Sequence, residues 1–156
     1  TCPWNTCEGS IRCAGANNCS LLFADGANWD GTVVAGNIGL TNLTDTAAAA
    51  RVKFARMELD AAFPVRIWRG ADGVLSSDTL DVDDFVNNGG KLVPMMMTAD
   101  EVFRAGDKVT IGRIKTDASL PDVAAGWSSE TSPIEGEEGM SLLTLKYGSG
   151  FMIIVK

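Results

Sequence analysis

The sequence predicts a mainly β protein: an antiparallel sandwich or barrel-like body, with one or two short helices and an irregular N-terminal arm. Short apolar and β-branched runs recur along the chain, and turns rich in Gly, Asn and Asp separate them. Hydrophobic residues make up 46% of the chain and charged residues 21%, which is a globular composition. A length of 156 residues fits one domain, so we expect an arm over 1–20 and a single β-rich domain over 21–156.

The arm carries all four cysteines of the chain, among glycines and asparagines that favour turns. Three states are open to them: two disulfides of unassigned connectivity, a four-thiolate zinc site, or free thiols packed against a neighbour. Only the first gap is short enough for a zinc knuckle, so we favour disulfides, which would imply an oxidising compartment. The cysteines are Cys2, Cys7, Cys13 and Cys19.

Strands are predicted wherever a short apolar run is bounded by turn residues. Pro64 removes a backbone donor, so the strand that contains it is expected at a sheet edge or at its own start. The predicted strands of this kind are Leu21–Phe23, Thr32–Ala35, Asn37–Leu43, Phe63–Trp68, Lys91–Met97 and Lys108–Lys115.

The segment Asp45–Phe63 is ambiguous from its sequence. The four alanines of Ala47–Ala50 favour a helix, whereas alternating apolar residues from Val52 onward favour a strand. The alternation slips by one residue after Phe54, and a β-bulge would absorb that slip. We therefore predict a strand.

Two short helical segments are predicted in the second half of the chain. Asp83–Asn88 fits one helical turn that ends at the following glycine pair. Thr98 and Glu101 have the spacing of a capping box, which predicts a helix of one or two turns reaching Arg104.

The C-terminal third is predicted as a long loop followed by a hairpin. Thr116–Gly139 is rich in Ser, Asp, Glu, Pro and Gly, with Trp127 as its large anchor, and long loops of this kind are often functional. Met140–Lys146 and Phe151–Val155 flank a Gly-rich connection typical of a β-hairpin. No repeat of 20–50 residues is recognisable in the sequence.

Histidine and the common phosphate-binding motifs are absent from the sequence. The chain has no histidine, so Ser-His-Asp and Cys-His systems are impossible, and it has no phosphate-binding glycine motif. A carboxylate cluster could hold Ca²⁺, but it matches no calcium loop, and a solvated acidic loop is the favoured interpretation. That cluster comprises Asp78, Asp81, Asp83 and Asp84, and the same holds for Glu135, Glu137 and Glu138. We therefore expect no enzyme activity, no metal and no cofactor.

The charge distribution limits the classes of partner. The net charge is −7 and no cluster of Lys or Arg exists, which argues against nucleic acid. The longest apolar runs are far shorter than the roughly 20 residues of a membrane helix, so no membrane partner is expected. Protein subunits are the remaining class, and the chain is expected to form a homo-oligomer, with a trimer as one candidate.

Large apolar residues in loops and near the C-terminus are candidates for the interface. Loop tryptophans are costly to leave in water, and an exposed edge strand tends to pair with a neighbour. The run Met95–Met97 is either core or an adaptable contact to another chain, with core favoured. The candidate interface residues are Trp4, Trp29, Trp127, Phe151, Ile153 and Val155.

In compositional style the chain resembles the small Ala/Gly/Thr-rich decoration, or cement, proteins on the heads of tailed bacteriophages. The segments Gly31–Val34, Ala47–Ala50 and Phe151–Lys156 carry this resemblance, and no diagnostic motif does. It implies a virion protein that clamps capsid subunits as a trimer or similar cluster, with its N-terminal arm along the shell. The four-cysteine arm departs from that style. The alternative is an extracellular protein, either a filament subunit or a binding module with a disulfide-stapled N-terminus.

Overall fold

A computed structural model describes residues 10–12, 21–36 and 38–148, and these residues form twelve strands and no helix. The strands are β1 (Ser10–Arg12), β2 (Leu21–Ala24), β3 (Asn28–Ala35), β4 (Ile38–Thr41), β5 (Arg51–Leu59), β6 (Ala62–Arg69), β7 (Leu75–Ser77), β8 (Thr79–Asn87), β9 (Lys91–Met96), β10 (Lys108–Lys115), β11 (Trp127–Pro133) and β12 (Met140–Tyr147).

Most of the chain winds as a coil between two walls of parallel strands. The first wall is the sheet β1-β3-β5-β8, in which every neighbouring pair is parallel. The second wall consists of the parallel pair β2-β4 and the sheet β7-β6-β9, in which β6 and β9 are parallel. Successive strands alternate between the walls, except that β7 folds back antiparallel on β6, so each coil stacks on the one before it. The expected antiparallel sandwich or barrel is therefore wrong for this part, although the mainly β class is confirmed.

The corners between the walls also stack, which explains one glycine. The chain turns from β5 to β6 at Asp60-Ala61, and from β8 to β9 at residues 88–90. The backbone amides of Asn88 and Gly90 both donate to the carbonyl of Leu59 on the coil before. A side chain on Gly90 would collide with the backbone of Ala61, so only glycine fits this close approach.

Apolar side chains from both walls meet in one hydrophobic cluster. In β5, Phe54 and Met57 are fully buried and two successive outward residues, Ala55 and Arg56, separate them. The same slip occurs in β8, where Asp83-Asp84 separate the buried Val82 and Phe85. The predicted strand with a slipped alternation is thus confirmed for Arg51–Leu59, while the alanine run before it is irregular.

An antiparallel sheet, β10-β12-β11, follows the parallel coils. Strand β10 lies against β8 without a ladder of backbone hydrogen bonds between them. The two backbones approach most closely at Gly112, where β10 has a register shift and a side chain would collide with the carbonyl of Leu80. Glycine at this position is what lets the antiparallel sheet close the end of the coil.

Both predicted helical segments are wrong. Asp83–Asn87 belongs to β8, because its apolar residues complete the parallel stack against β5. Thr98 does not cap a helix, because its hydroxyl accepts from the amide of Arg69 and donates to that residue's carbonyl. The local capping pattern is overridden by a tertiary contact.

The C-terminal third also differs from expectation. The predicted loop Thr116–Gly139 contains β11, which pairs along its whole length with β12. Met140–Lys146 is a strand as expected, but its neighbours are β10 and β11. The second arm of the predicted hairpin, Phe151–Val155, lies outside the described residues. No helix long and apolar enough to cross a membrane occurs in the described ranges.

Gly112→Ala is expected to lower the free energy of unfolding by about 3 kcal/mol, because β8 and β10 must separate to admit the methyl group. Urea denaturation measures the loss. Gly136→Ala is the matched control, since Gly136 has a φ of 81° with open space around it and loses only about 1 kcal/mol from backbone strain. Equal losses in the two variants would contradict the close approach.

Candidate functional site

The predicted interface residues are only partly described. Trp4, Phe151, Ile153, Val155 and the four cysteines Cys2, Cys7, Cys13 and Cys19 lie outside the described residues. Trp29 is half-buried in β3 against the core. Trp127 opens β11 and packs edge-on to Phe103 and beside Tyr147, with ring centroids 4.7 and 5.1 Å apart. Trp29 and Trp127, the candidate tryptophans among the described residues, thus lie on different sheets, and their role in an interface stays a prediction.

The outer face of the second wall carries an apolar row that sequence reasoning had placed in the core. Met95 and Met97 are 46% and 43% exposed, and they alternate with inward-facing positions of β9. Arg66 of β6 lies opposite Met95 in the ladder, and Trp68 follows on the same outer face of β6, half-buried. We call Trp68, Met95 and Met97 the methionine row. The triplet of methionines was the available signal, since alternate members of a strand must face opposite sides.

Arg66 fastens a loop beside this row. Its guanidinium donates to the carbonyls of Thr46 and Ala48 at 3.0 and 3.3 Å, and it lies 5.2 Å from the ring centroid of Trp68. It also donates to both oxygens of Asp78, each at 2.8 Å. The loop before β5 is therefore held against β6 by a single side chain.

Asp78 is the most deeply buried carboxylate of the acidic cluster. Its side chain is 1% exposed, and it accepts from the amide of Ala50 in addition to Arg66. These bonds join the start of β5, the middle of β6 and the start of β8. A buried carboxylate is stable only with such charge-assisted partners, so Asp78 is a structural residue.

The outward carboxylates of β8 lie between cations on both neighbouring strands. Asp84 contacts Arg56 of β5 at 3.2 Å, and Asp83 lies 3.9 Å from Lys115 of β10. The predicted solvated loop is thus a strand whose acidic side chains are paired. Within the described part of the chain, no group of three or more possible ligands is placed to hold a metal ion.

Asp81 joins the parallel coils to the antiparallel sheet. Its Oδ1 accepts from the backbone amide of Arg113 at 3.0 Å, and its Oδ2 accepts from Arg51 Nη2 at 2.9 Å. Ser77 adds a second link, because its hydroxyl donates to the carbonyl of Thr110. Side chains of this kind take the place of the missing backbone ladder between β8 and β10.

A second buried cation, Arg69, holds the loop between β9 and β10. Its side chain is 5% exposed, and it donates to Asp107 Oδ2 and to the carbonyls of Gly73 and Val102. Its Nε forms an ion pair with Glu101, 3.0 Å from Oε2, although the angle is too far from linear for a hydrogen bond. One guanidinium therefore connects the end of β6, the turn after it and residues 101–107.

The contacts of this cluster shift the pKa of one acid, Asp107. Burial alone would raise the pKa of Asp107, but hydrogen bonds from Arg69 and from the amide of Arg104, with the charges of both arginines, outweigh it. The pKa of Asp107 therefore lies below its usual range. Outside this cluster, the exposed Glu130 also has a lowered pKa, because Lys108 donates a hydrogen bond to it and adds its charge.

The two buried acids of the acidic cluster are occupied by contacts within the fold. The buried acids Asp78 and Asp81 are fully engaged by arginines and amides, and neither has a free oxygen beside a general base or a nucleophile. No protein-family model, no curated protein and no solved structure matches the chain. Function must therefore be argued from the surfaces themselves.

Asp78→Ala is expected to lower the free energy of unfolding by about 3 kcal/mol, because Arg66, 15% exposed at its side chain, loses its buried partner and the amide of Ala50 loses its acceptor. Asp83→Ala is the matched control on the same strand, and its loose exposed pair should change stability by less than about 0.5 kcal/mol. Urea denaturation of both variants at neutral pH measures the difference in their free energies of unfolding. A loss in Asp78→Ala no greater than in Asp83→Ala would show that the buried pair is dispensable.

Acid is expected to weaken the Arg69 cluster. Because folding lowers the pKa of Asp107, its stabilising contribution is complete above the unfolded value of about 3.9 and is lost as pH falls through the folded value. Free energies of unfolding measured from about pH 6 to about pH 3 should fall less steeply for Asp107→Asn than for the parent. Thr131→Ala, at an exposed position without an ionisable group, should keep the parent slope. Identical slopes for the parent and Asp107→Asn would refute the assignment.

Proposed function

We propose that the chain is a structural subunit of a virion shell, of the decoration type, which works by binding protein subunits that include copies of itself. The observation that carries this proposal is the methionine row, in which two exposed methionines lie beside a tryptophan on the outer face of the second wall. The compositional resemblance to phage decoration proteins supports the same class.

The two walls differ in what they present to solvent. The outer face of the first wall is covered by charged side chains, among them Arg51, Arg56 and Asp84, many of them paired. The outer face of the second wall instead exposes two methionines beside a tryptophan. Methionine and aromatic residues are enriched in the centres of protein interfaces, where their adaptable shapes fill a partner's surface.

The framework beneath the row is suited to carry a contact. Arg66 and Asp78 fix β6 to the loop before β5, and β9 is hydrogen-bonded to β6 along its length. A surface on paired strands changes little on binding, so less ordering entropy opposes association. A stable interface buries about 800 Å² on each partner, so the row would form its centre, with polar residues of the second wall as the rim.

The proposal predicts concentration-dependent assembly through the second wall. Sedimentation equilibrium and mass photometry should detect oligomers at micromolar concentration. Met95→Lys and Met97→Lys should each weaken the association constant about tenfold or more, because a charge would be buried at the centre of the contact.

Leu120→Lys is the matched control, since Leu120 is 39% exposed in the loop between β10 and β11, where its carbonyl accepts from Asn87 at the end of β8. It should leave assembly unchanged. A parent chain that stays monomeric at every concentration, or equal effects of Leu120→Lys and Met97→Lys, would count against the proposal.

A further inference from the structure

A groove crosses the outer face of the first wall where β5, β8 and β10 run side by side. Its volume is about 440 Å³, and it continues toward β3 through a second depression of about 240 Å³ that shares Arg51, Lys53 and Asp81. We call it the lysine groove. Its charged lining comprises Arg51, Lys53, Asp81, Asp83, Arg113 and Lys115.

The carboxylates of the groove are already used within the molecule. Asp81 is 12% exposed at its side chain, and its two oxygens accept from Arg51 and from the amide of Arg113. Glu137 approaches from the turn before β12 and binds Arg113 at 2.8 Å. Asp83 is the remaining carboxylate. The two arginines therefore have short ionic partners.

Lys53 and Lys115 have no such short ionic partner among the described residues. Lys53 lies directly opposite Asp81 in the ladder of β5 and β8, yet both oxygens of Asp81 are taken, and Lys53 forms no ion pair with any described residue. Lys115 is 53% exposed, and its ammonium lies 3.9 Å from Asp83, beyond hydrogen-bond length. Among the described residues, the two ammonium groups of the groove therefore have no hydrogen-bonded acceptor, in a chain whose net charge is −7.

We infer that the lysine groove binds an extended acidic segment of a partner protein, with carboxylates on Lys53 and Lys115. Lys53 on β5 lies opposite Asp81, and the ammonium of Lys115 on β10 lies near Asp83, two residues further along β8. The groove and the depression that continues it extend from β3 to β10, a length that suits an extended chain rather than a single small oxyanion. An extended peptide places carboxylates at alternate positions about 7 Å apart, a spacing that the flexible side chains of the two lysines can reach.

This site lies on the opposite wall from the methionine row and does not depend on it. Binding at the groove can therefore be found in a chain that fails to assemble, and assembly can occur in a chain whose groove binds nothing. Failure of one proposal is distinguishable from failure of the other.

Fluorescence anisotropy with a labelled peptide of alternating Glu and Thr tests the inference on the full chain. Binding should be measurable at about 0.02 M ionic strength and weaken at about 0.3 M, because exposed ion pairs are screened. Lys53→Ala and Lys115→Ala should each raise the dissociation constant about three- to fivefold, and the double variant should raise it about tenfold or more. An otherwise identical Gln-Thr peptide should not bind.

Lys91→Ala is the matched control, because Lys91 is an exposed lysine without an ion pair among the described residues and lies on β9 of the other wall. It should change the dissociation constant by less than about 1.5-fold. Circular dichroism and urea midpoints confirm that each variant is folded. Three results would overturn the inference: no binding at low salt, equal effects of Lys91→Ala and Lys53→Ala, or tighter binding of single-stranded DNA or of inorganic phosphate than of the acidic peptide.

Discussion

Hydrogen bonds between the backbones of successive coils set the positions of the strands in both walls. In parallel ladders, a residue lies beside its equivalent on the next coil with its side chain on the same face. Arg56 therefore lies beside Asp84, and Lys53 beside Asp81. Charges on the first wall become rows across the strands, and the pairing of β6 with β9 brings the residues of the methionine row onto one face. The same stacking leaves no room for a side chain at Gly90, where one corner rests on another.

Two buried arginines extend this order to parts of the chain that have no ladder. Arg66 holds the loop before β5, and Arg69 holds the turn after β6 together with residues 101–107. A guanidinium suits the task because it offers five donors in a fixed plane and stays charged when buried. Carbonyl oxygens of irregular segments find partners in this way, and Asp78 and Asp107 balance the charge. The loops are thus part of the framework.

The mainly β class and several strands were predictable because alternation between apolar and polar residues is local information. The slip after Phe54 was visible for the same reason. The parallel pairing was not predictable, because it depends on which distant strand each strand edge meets. Trp29 and Phe54 lie side by side in β3 and β5, yet they have in common only that both are large and apolar. The helix expected at Thr98 failed because Arg69 captured its hydroxyl. At the sites, the methionine triplet carried a signal, whereas the isolation of Lys53 follows from contacts that no linear pattern encodes.

The coils are unequal in length, and this has a consequence for how the molecule can change. Along the first wall, Ser10 lies beside Thr32, Thr32 beside Arg56 and Arg51 beside Thr79, so the spacing between paired residues grows from one pair of strands to the next. The additional residues lie in connections such as 70–74, while the hydrogen-bonded strands remain in step. Insertions during evolution can therefore lengthen the connections of one coil without disturbing the strands of its neighbours. New binding specificities can arise in these connections while the paired strands stay the same.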